Sequence, residues 1–338
     1  MLDIDFDEAG EHVYLLIRKC GMNTLDVVEQ LQREFGCSSV DTGYCGLKDK
    51  QAITEQWLSF RSNQKPDLSR LLLPSTQVGR GSNAIDGMIS GEFRVLRQVR
   101  HSRKLRRGAH SGNAFDIVIR NVSTTDRSLL SEAQQTLQQR LQEIKRRGFA
   151  NYFGPQRFGY QGQNIRHARQ MFGNPKRRIT RTKRGLLLSA ARSHLFNAVC
   201  AERVRANTWL EPLDGEPMLL DGSNSFFIHA NSNTETQARC DALDVHTSGP
   251  LPGAGEALSK ADCHEFEFNV LSGFTDFISG LQQAGLTQHR RALRACVKAL
   301  DAQWLAPDTL SVSLQLDSGV FATTFLSEFV DLSLTSER

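Results

Sequence analysis

The feature that most constrains the fold is a change in hydrophobic periodicity along the chain. Apolar and polar residues alternate over residues 11–19 and 114–122, and again over 309–316 near the end. Helix-like patterns dominate residues 162–206 and 262–300, which are separated by a stretch rich in Gly, Pro and Asn. Alternation predicts half-buried strands, whereas a period near 3.6 predicts amphipathic helices. This order predicts an α+β fold: a mixed, mainly antiparallel sheet flanked by helices and interrupted by a helix-rich insertion domain.

Several elements have recognisable limits. Asn23, with Asp26 three residues later, is typical of a helix start, and Gly36 is typical of a helix end. The apolar face of that helix carries Leu25, Val28, Leu31 and Phe35. A second helix is predicted over residues 126–147 and a short one over 322–330, with strands over 40–47 and 52–60 and an irregular loop over 61–91.

The composition excludes several classes of protein. No apolar run approaches the length of a membrane span, and the first residues lack a signal-peptide pattern, so we expect no membrane contact. Seven scattered cysteines form no Cys-x-x-Cys pair, so neither a disulfide framework nor a structural zinc site is expected, and a reduced cytoplasm is the natural location. No phosphate-binding glycine motif is present, so no nucleotide cofactor is expected, and no histidine pattern indicates a metal.

Positive charge is concentrated in the first half of the chain. The net charge is only +4, but basic residues cluster at 100–107, at 145–147 and at 176–184. A single run of this kind is usually a solvated face, and the cluster at 145–147 also complements a helix dipole. Three clusters together favour a surface that binds a polyanion such as RNA.

The segment 46–56 reads Gly-Leu-Lys-Asp-Lys-Gln-Ala-Ile-Thr-Glu-Gln and lies between two predicted strands. Lys48 and Lys50 flank Asp49, and nearby cations favour the ionised form of a carboxyl group. A solvated turn would explain a Lys-Asp-Lys triplet by itself. Because a loop on a rigid scaffold also suits a catalytic group, Asp49 is the candidate for chemistry.

The string Gly-x-Lys-Asp-Lys-x-Ala-x-Thr-x-Gln resembles the signature of the TruD family of tRNA pseudouridine synthases. Further stretches resemble the same family, in the same order and over nearly the whole chain: residues 104–108 with 112–115, 151–159, 188–193 with 196–197, and 251–256 followed by 319–323. The resemblance implies a pseudouridine synthase fold, with a catalytic domain formed by residues 1–152 and 306–338 and an insertion domain over 153–305. It also implies that RNA binds in a cleft between the two domains.

The resemblance implies an isomerase that converts a uridine of tRNA, at position 13, to pseudouridine without a cofactor. Asp49 would be the catalytic residue, either as a nucleophile on the nucleoside or as a base at the sugar. The implied substrate-binding residues are Phe115, Asn113, Lys48, Lys50, Lys104, Arg106, Arg157 and Arg192. Phe115 would stack on the extruded base, with Asn113 hydrogen-bonding to a base edge or to the backbone.

Alternatives remain open for several of these residues. Phe115 also suits a strand core, Arg157 an aromatic-packed connection, and Arg192 an internal ion pair. A non-catalytic RNA-binding or tRNA-folding protein could retain the same scaffold, whereas a hydrolase would need a second carboxylate. The family's chains normally begin earlier, with a Pro-Glu-Asp-Phe-x-Val-x-Glu segment for which residues 1–6 are not a convincing substitute. The oligomeric state is left open, with a slight preference for a monomer.

Overall fold

The structure is a computed structural model that describes residues 2, 4–62, 90–106, 108–122, 130–174 and 178–331. It separates into two compact units, Met1–Asn113 and Ala114–Arg338. The sequence-predicted domain boundaries near residues 152 and 305 follow a different division and remain a prediction. The loop predicted over residues 61–91 and the start of the helix predicted from residue 126 lie largely outside the described residues.

The first unit is a four-stranded antiparallel sheet with one helix. Its elements are β1 (His12–Cys20), α1 (Thr24–Phe35), β2 (Thr42–Tyr44), β3 (Ile53–Arg61) and β4 (Glu92–His101), and the strand order is β2-β3-β1-β4. Val27, Val28 and Leu31 of α1 join the alternating residues of β1 and β3 in one hydrophobic core.

The sequence predicts most of this unit. Helix α1 begins after Asn23, whose main-chain N–H donates to Asp26 Oδ2 (3.3 Å), and it ends at Gly36 in the left-handed conformation. Two details of the predicted patterns are wrong. Leu25 is 49% exposed, because the buried face of α1 is centred on Val27 and Leu31. The alternation of Val13, Leu15 and Ile17 predicts that Tyr14 lies on the polar face of β1, yet Tyr14 is buried, because its ring packs against Phe6, Trp57 and His101 on that face.

The second unit contains the remaining elements, and its first strand begins two residues before the unit boundary. These elements are β5 (Gly112–Ile119), α2 (Leu130–Arg147), β6 (Phe149–Ala150), α3 (Gln163–Gly173), α4 (Arg181–Arg205), β7 (Pro217–Leu220), β8 (Phe226–Ile228), α5 (Glu235–Asp241), β9 (Val245–His246), β10 (Ser248–Leu251), α6 (Ala261–Leu271), α7 (Thr275–Gln283), β11 (His289–Ala292), β12 (Arg294–Ala295), β13 (Val297–Ala306), β14 (Thr309–Asp317) and α8 (Ala322–Leu326). Two short 3₁₀ turns, Pro155–Phe158 and Tyr160–Gly162, precede α3.

Helix and sheet layers both contribute to the core of this unit. The sheet β13-β14-β5 shares a hydrophobic core with α2 and α8. Helix α4 packs with α3, α6 and α7 around a second core, and the smaller sheets β8-β7-β9, β10-β11 and β12-β6 complete the unit. The predicted strands over 114–122 and 309–316 and the helix-rich stretch over 162–206 are confirmed, and α2 confirms the helix predicted over 126–147 from Leu130 onward.

The helical prediction over residues 262–300 is wrong after Gln283. Residues 289–300 are rich in Arg, Ala and Leu, which favour helix, yet they form β11, β12 and the start of β13. Two of these strands pair with strands distant in sequence, β11 with β10 and β12 with β6, whereas β13 forms a hairpin with the adjacent β14. Long-range pairing therefore overrides the local preference.

The predicted α+β class is confirmed, and the pairings of β1 with β3 and β4, β2 with β3, β6 with β12, β7 with β8 and β9, β10 with β11, and β13 with β14 are antiparallel. All seven cysteines are free thiols. Within the described ranges, no helix combines the length and apolar character needed to cross a membrane.

Candidate active site

Asp49 lies on the loop between β2 and β3, and neighbouring residues hold the main chain of that loop in place. Gly46 has a φ of +81°, a left-handed conformation that favours glycine and turns the chain away from β2. The main-chain N–H of Lys48 donates to Thr24 Oγ1 (2.9 Å), and that hydroxyl donates to Gln56 Oε1 (3.3 Å). Because Thr24 and Gln56 are buried, the loop is tied to the start of α1 and to β3. The Asp49 side chain itself is exposed.

Lys19 supports the same loop from inside the unit. It is the penultimate residue of β1, which lies between β3 and β4 in the sheet, and its side chain is fully buried. Its Nζ donates to the main-chain carbonyl oxygen of Asp49 (2.6 Å). Burial lowers the pKa of the Lys19 amine, and the negative charge of Asp49 partly offsets this effect. A buried ammonium group therefore both fixes the loop and faces the candidate carboxylate.

Lys48 and Asn113 meet although 65 residues separate them. The half-buried Lys48 Nζ donates to Asn113 Oδ1. Burial lowers the pKa of Lys48, and the charge of Asp49 opposes that change. Since the amide oxygen of Asn113 accepts from a cation, its Nδ2 group is left as a pair of donors. The first unit thus presents a carboxylate, two lysines and an oriented amide.

The other basic candidates of the first unit have different positions. Lys50, which directly follows Asp49 in the sequence, is exposed. Lys104 is half-buried, and its Nζ donates to the carbonyl oxygen of Val40, whereas Arg106 is exposed. Lys104 and Arg106 both line a surface depression of about 770 Å³ beside β2 and α1. The structure therefore brings Lys48 and Asn113 to the Asp49 loop and places Lys104 and Arg106 along this depression.

The remaining candidates belong to the second unit. Phe115 is half-buried on β5 and packs against the core that β14 and α2 share. Arg157 Nη1 donates to Ser189 Oγ of α4 (3.2 Å). Arg192, one turn further along α4, donates through Nη2 to the carbonyl oxygens of Leu251 (2.9 Å) and Thr287 (3.2 Å), and among the described residues it has no carboxylate within ion-pair distance.

Comparisons of the whole chain with known proteins identify one family. The family model for tRNA pseudouridine synthase D (TruD) matches residues 2–170 and 163–329. A tRNA pseudouridine synthase D of Nitrosococcus oceani is 41% identical over 324 residues, which is 95% of this chain and 84% of the relative. One of Methylococcus capsulatus is 38% identical over 322 residues, with the same two coverages. The chain belongs to the tRNA pseudouridine synthase D family.

A solved structure agrees with this family at the level of the fold. The crystal structure of a Methanosarcina mazei protein assigned to tRNA pseudouridine synthase D superposes with a TM-score of 0.67, covering 97% of this chain and 90% of that one at 18% identity. TruD proteins are pseudouridine synthases, which are isomerases. Among the described residues, no group of three or more His, Cys, Asp or Glu side chains could hold a metal ion.

Sequence reasoning missed two residues that the structure places beside predicted site residues: Lys19 beside Asp49, and Arg291 beside Arg157. Lys19 follows Val13, Leu15 and Ile17 at a spacing of two, so the alternation already places it on the buried face of β1. A lysine on such a face is a signal that could have been used. Arg291, whose guanidinium carbon lies 4.1 Å from the centre of the Phe153 ring, gives no such signal because its segment resembles a helix.

Proposed function

We propose that this protein converts the uridine at position 13 of tRNA to pseudouridine, with Asp49 as the catalytic carboxylate. The observation that supports this most is the loop at Asp49: an exposed carboxylate whose main chain is held by the buried Lys19 and by Thr24. The proposal combines that geometry with membership of the TruD family. We also propose that residues 1–152 and 306–338 make up the catalytic domain and 153–305 the insertion domain.

The reaction needs one carboxylate and nothing that is oxidised or reduced. The N1–C1′ bond of the uridine breaks, the uracil turns, and C5 bonds to C1′. The proton on C5 is then lost to water while N1, freed from C1′, takes up one, so the atoms balance within an isomerisation. Asp49 acts in this scheme either as a nucleophile on the nucleoside or as a base at the sugar. The negative charge of Asp49 raises the pKa of both Lys19 and Lys48 against the effect of their burial.

The uridine must leave the RNA stack before Asp49 can reach it. Extrusion costs a few kcal/mol, and stacking on an aromatic ring returns roughly 1–3 kcal/mol per base. We assign the stacking role to Phe115, although the half-buried position of its ring also serves the core of the second unit. We assign recognition of a base-edge oxygen to Asn113 Nδ2, because Lys48 fixes the amide by its oxygen.

Contacts with the RNA backbone are assigned to basic side chains. They are Lys50, Lys104 and Arg106 of the first unit and Arg157 and Arg192 of the second. Lys50 and Arg106 are exposed, and the other three are half-buried with polar hydrogens that remain available. Such contacts position the RNA without reading its sequence.

The decisive experiment measures tritium release from tRNA labelled at C5 of uridine. Wild type, Asp49→Ala and Glu34→Ala are compared, and tRNA affinity is measured for each. Glu34 is an exposed carboxylate of α1 in the same unit and serves as the matched control. We expect release from wild type and Glu34→Ala, none from Asp49→Ala, and nearly equal affinities, because Asp49 contributes to chemistry rather than to phosphate binding.

Two outcomes would contradict the proposal. Release by Asp49→Ala at the wild-type rate would place the catalytic group elsewhere. Binding of tRNA by wild type without any release would favour the alternative, a non-catalytic RNA-binding or tRNA-folding protein on the same scaffold.

A further inference from the structure

Three arginines of the second unit are gathered around one aromatic ring and one helix. The guanidinium carbons of Arg157 and Arg291 lie 5.5 Å and 4.1 Å from the centre of the Phe153 ring. Arg157 also donates to Ser189, which lies on α4 one turn before Arg192. All three side chains are half-buried, so each is partly withdrawn from water and partly accessible.

None of the three has a carboxylate within ion-pair distance in the part of the chain that the structure describes. Their hydrogen-bond acceptors are neutral: Ser189 Oγ for Arg157, the carbonyls of Leu251 and Thr287 for Arg192, and atoms of Asn151 and Gly319 for Arg291. Neutral acceptors orient a guanidinium group but leave its charge uncompensated.

Two other buried arginines of the same unit are paired with carboxylates, whereas the buried Arg294 donates to His246 Nδ1 and to the carbonyl oxygens of Cys240 and Val245. Arg203 Nη1 lies 3.1 Å from Glu216 Oε2, and Arg290 Nη2 lies 2.7 Å from Glu267 Oε1. The adjacent Arg290 and Arg291 therefore contrast directly. The charge of Glu267 raises the pKa of Arg290 against the effect of burial. Burial lowers the pKa of Arg291 to about 10, and the charge of Arg157 adds to that lowering.

Two guanidinium N–H groups of the cluster also lack an acceptor. Arg157 Nε and Arg192 Nε are buried and meet no hydrogen-bond partner within the described residues. Leaving a buried charged donor unsatisfied is unfavourable unless a ligand supplies the acceptor. An anion with several oxygens would satisfy them, because Arg157 and Arg291 meet at the Phe153 ring and Arg192 lies one turn from Ser189 on the same helix.

We infer that Arg157, Arg192 and Arg291 together form a binding site for a phosphodiester group of the RNA backbone. The inference rests on the proposed function, which supplies the RNA, and it adds Arg291 and the common site to the residues assigned there. Arginine suits this ligand because its planar fork matches two phosphate oxygens at once. The neutral acceptors hold each fork in place before the phosphate arrives.

The test compares the salt dependence of tRNA binding by wild type, Arg157→Gln, Arg192→Gln, Arg291→Gln and Arg291→Lys. Arg239→Gln is the matched control, because Arg239 also lies over an aromatic ring, at 5.2 Å from Phe227, but has a carboxylate partner in Asp244 at 2.6 Å. Each lost phosphate contact should make the slope of log Kobs against log salt shallower by about 0.7–0.9. Arg239→Gln should keep the wild-type slope.

The lysine variant guards against loss of folding. Arg291→Lys retains the charge, so it should keep most of the slope while binding more weakly, because a point charge replaces a two-pronged contact. Circular dichroism establishes that each variant is folded. Wild-type slopes in all folded glutamine variants would overturn the site, even if wild type releases tritium from tRNA and the proposed function stands.

A second arm distinguishes RNA from a free anion. Thermal unfolding is followed with and without inorganic phosphate for wild type and Arg291→Gln. If phosphate stabilises only wild type while the tRNA slopes are unchanged, the cluster binds a free anion and the phosphodiester assignment is wrong. Shallower slopes in the glutamine variants, together with tritium release by wild type, would support both the site and the proposed function.

Discussion

At the scale of single residues, the most consequential contact is that between Lys19 and the main chain of Asp49. A buried charge is unfavourable, and replacing one with an apolar side chain of similar size is often neutral or stabilising. Lys19 has no described carboxylate within ion-pair distance, and its hydrogen bond goes to the carbonyl oxygen of Asp49. The residue therefore makes sense as a support for the candidate catalytic loop rather than as a source of stability.

We predict that Lys19→Met folds with unchanged or greater stability but loses activity. Without the 2.6 Å hydrogen bond, the Asp49 loop loses its anchor, and small displacements of a catalytic group lower kcat by about 10- to 100-fold. Steady-state tritium-release kinetics and urea unfolding measure the two effects. Lys260→Met, at an exposed lysine, is the control. A fully active Lys19→Met variant would contradict the assignment.

The same variant tests how folding stability depends on pH. Burial lowers the pKa of Lys19 below its ordinary value of 10.5, so the unfolded chain binds more protons between the two values. Stability should consequently rise with pH across that window, because deprotonation relieves the buried charge. Lys19→Met should lack this contribution. Urea midpoints measured at several alkaline pH values for the two proteins give the difference, and identical pH profiles would count against a buried, charged Lys19.

Sequence reasoning reaches some of these residues but not their arrangement. The motif identifies Asp49, Lys48 and Asn113, yet the pairing of Lys48 with Asn113 depends on a contact across 65 residues. Alternation along β1 indicates that Lys19 is buried, but only the fold shows that its amine meets the Asp49 loop.

At the scale of elements, local signals are reliable where they are strong. The capping residues of α1 and the alternation of β14 predict those elements with nearly correct limits. The helix predicted over residues 289–300 fails because β11 and β12 depend on pairing with β10 and β6, which are distant in sequence and which no local pattern indicates. Strand β2, three residues long, is likewise defined by its neighbour β3.

Alanine substitutions at two glycines test how tightly β2 and α4 are packed at those positions. A Cβ at Gly43 in β2 would lie 2.3 Å from the carbonyl oxygen of Leu105, whereas a Cβ at the exposed Gly185 in α4 would meet nothing within 4 Å. We predict that Gly43→Ala destabilises the protein by about 1–3 kcal/mol and that Gly185→Ala stabilises it by about 0.5–1 kcal/mol. Urea unfolding midpoints measure both, and a neutral Gly43→Ala would show that β2 can move away from Leu105.

At the scale of the whole molecule, the fold class follows from the order of periodicities, but the division into units does not. The boundary at residue 113 falls within β5, so no change in composition or turn signal marks it. The distribution of charge is more informative than its total. The net charge of +4 is small, yet the second unit has guanidinium groups without a carboxylate partner among the described residues, and the first unit has exposed lysines, so both carry positive charge that suits RNA.

The proposed target gives a prediction for the complete protein acting on complete tRNA. If position 13 is the only uridine isomerised, a tRNA with cytidine at position 13 should release no tritium from its remaining labelled uridines. Its affinity should be nearly unchanged, because contacts with phosphates carry most of the binding energy and do not read the base. A tRNA with a uridine-to-cytidine change in another loop is the control and should react normally. If the position-13 variant releases tritium as fast as tRNA with uridine at position 13, the enzyme selects a different uridine. The role of Asp49 would then be tested on that other uridine.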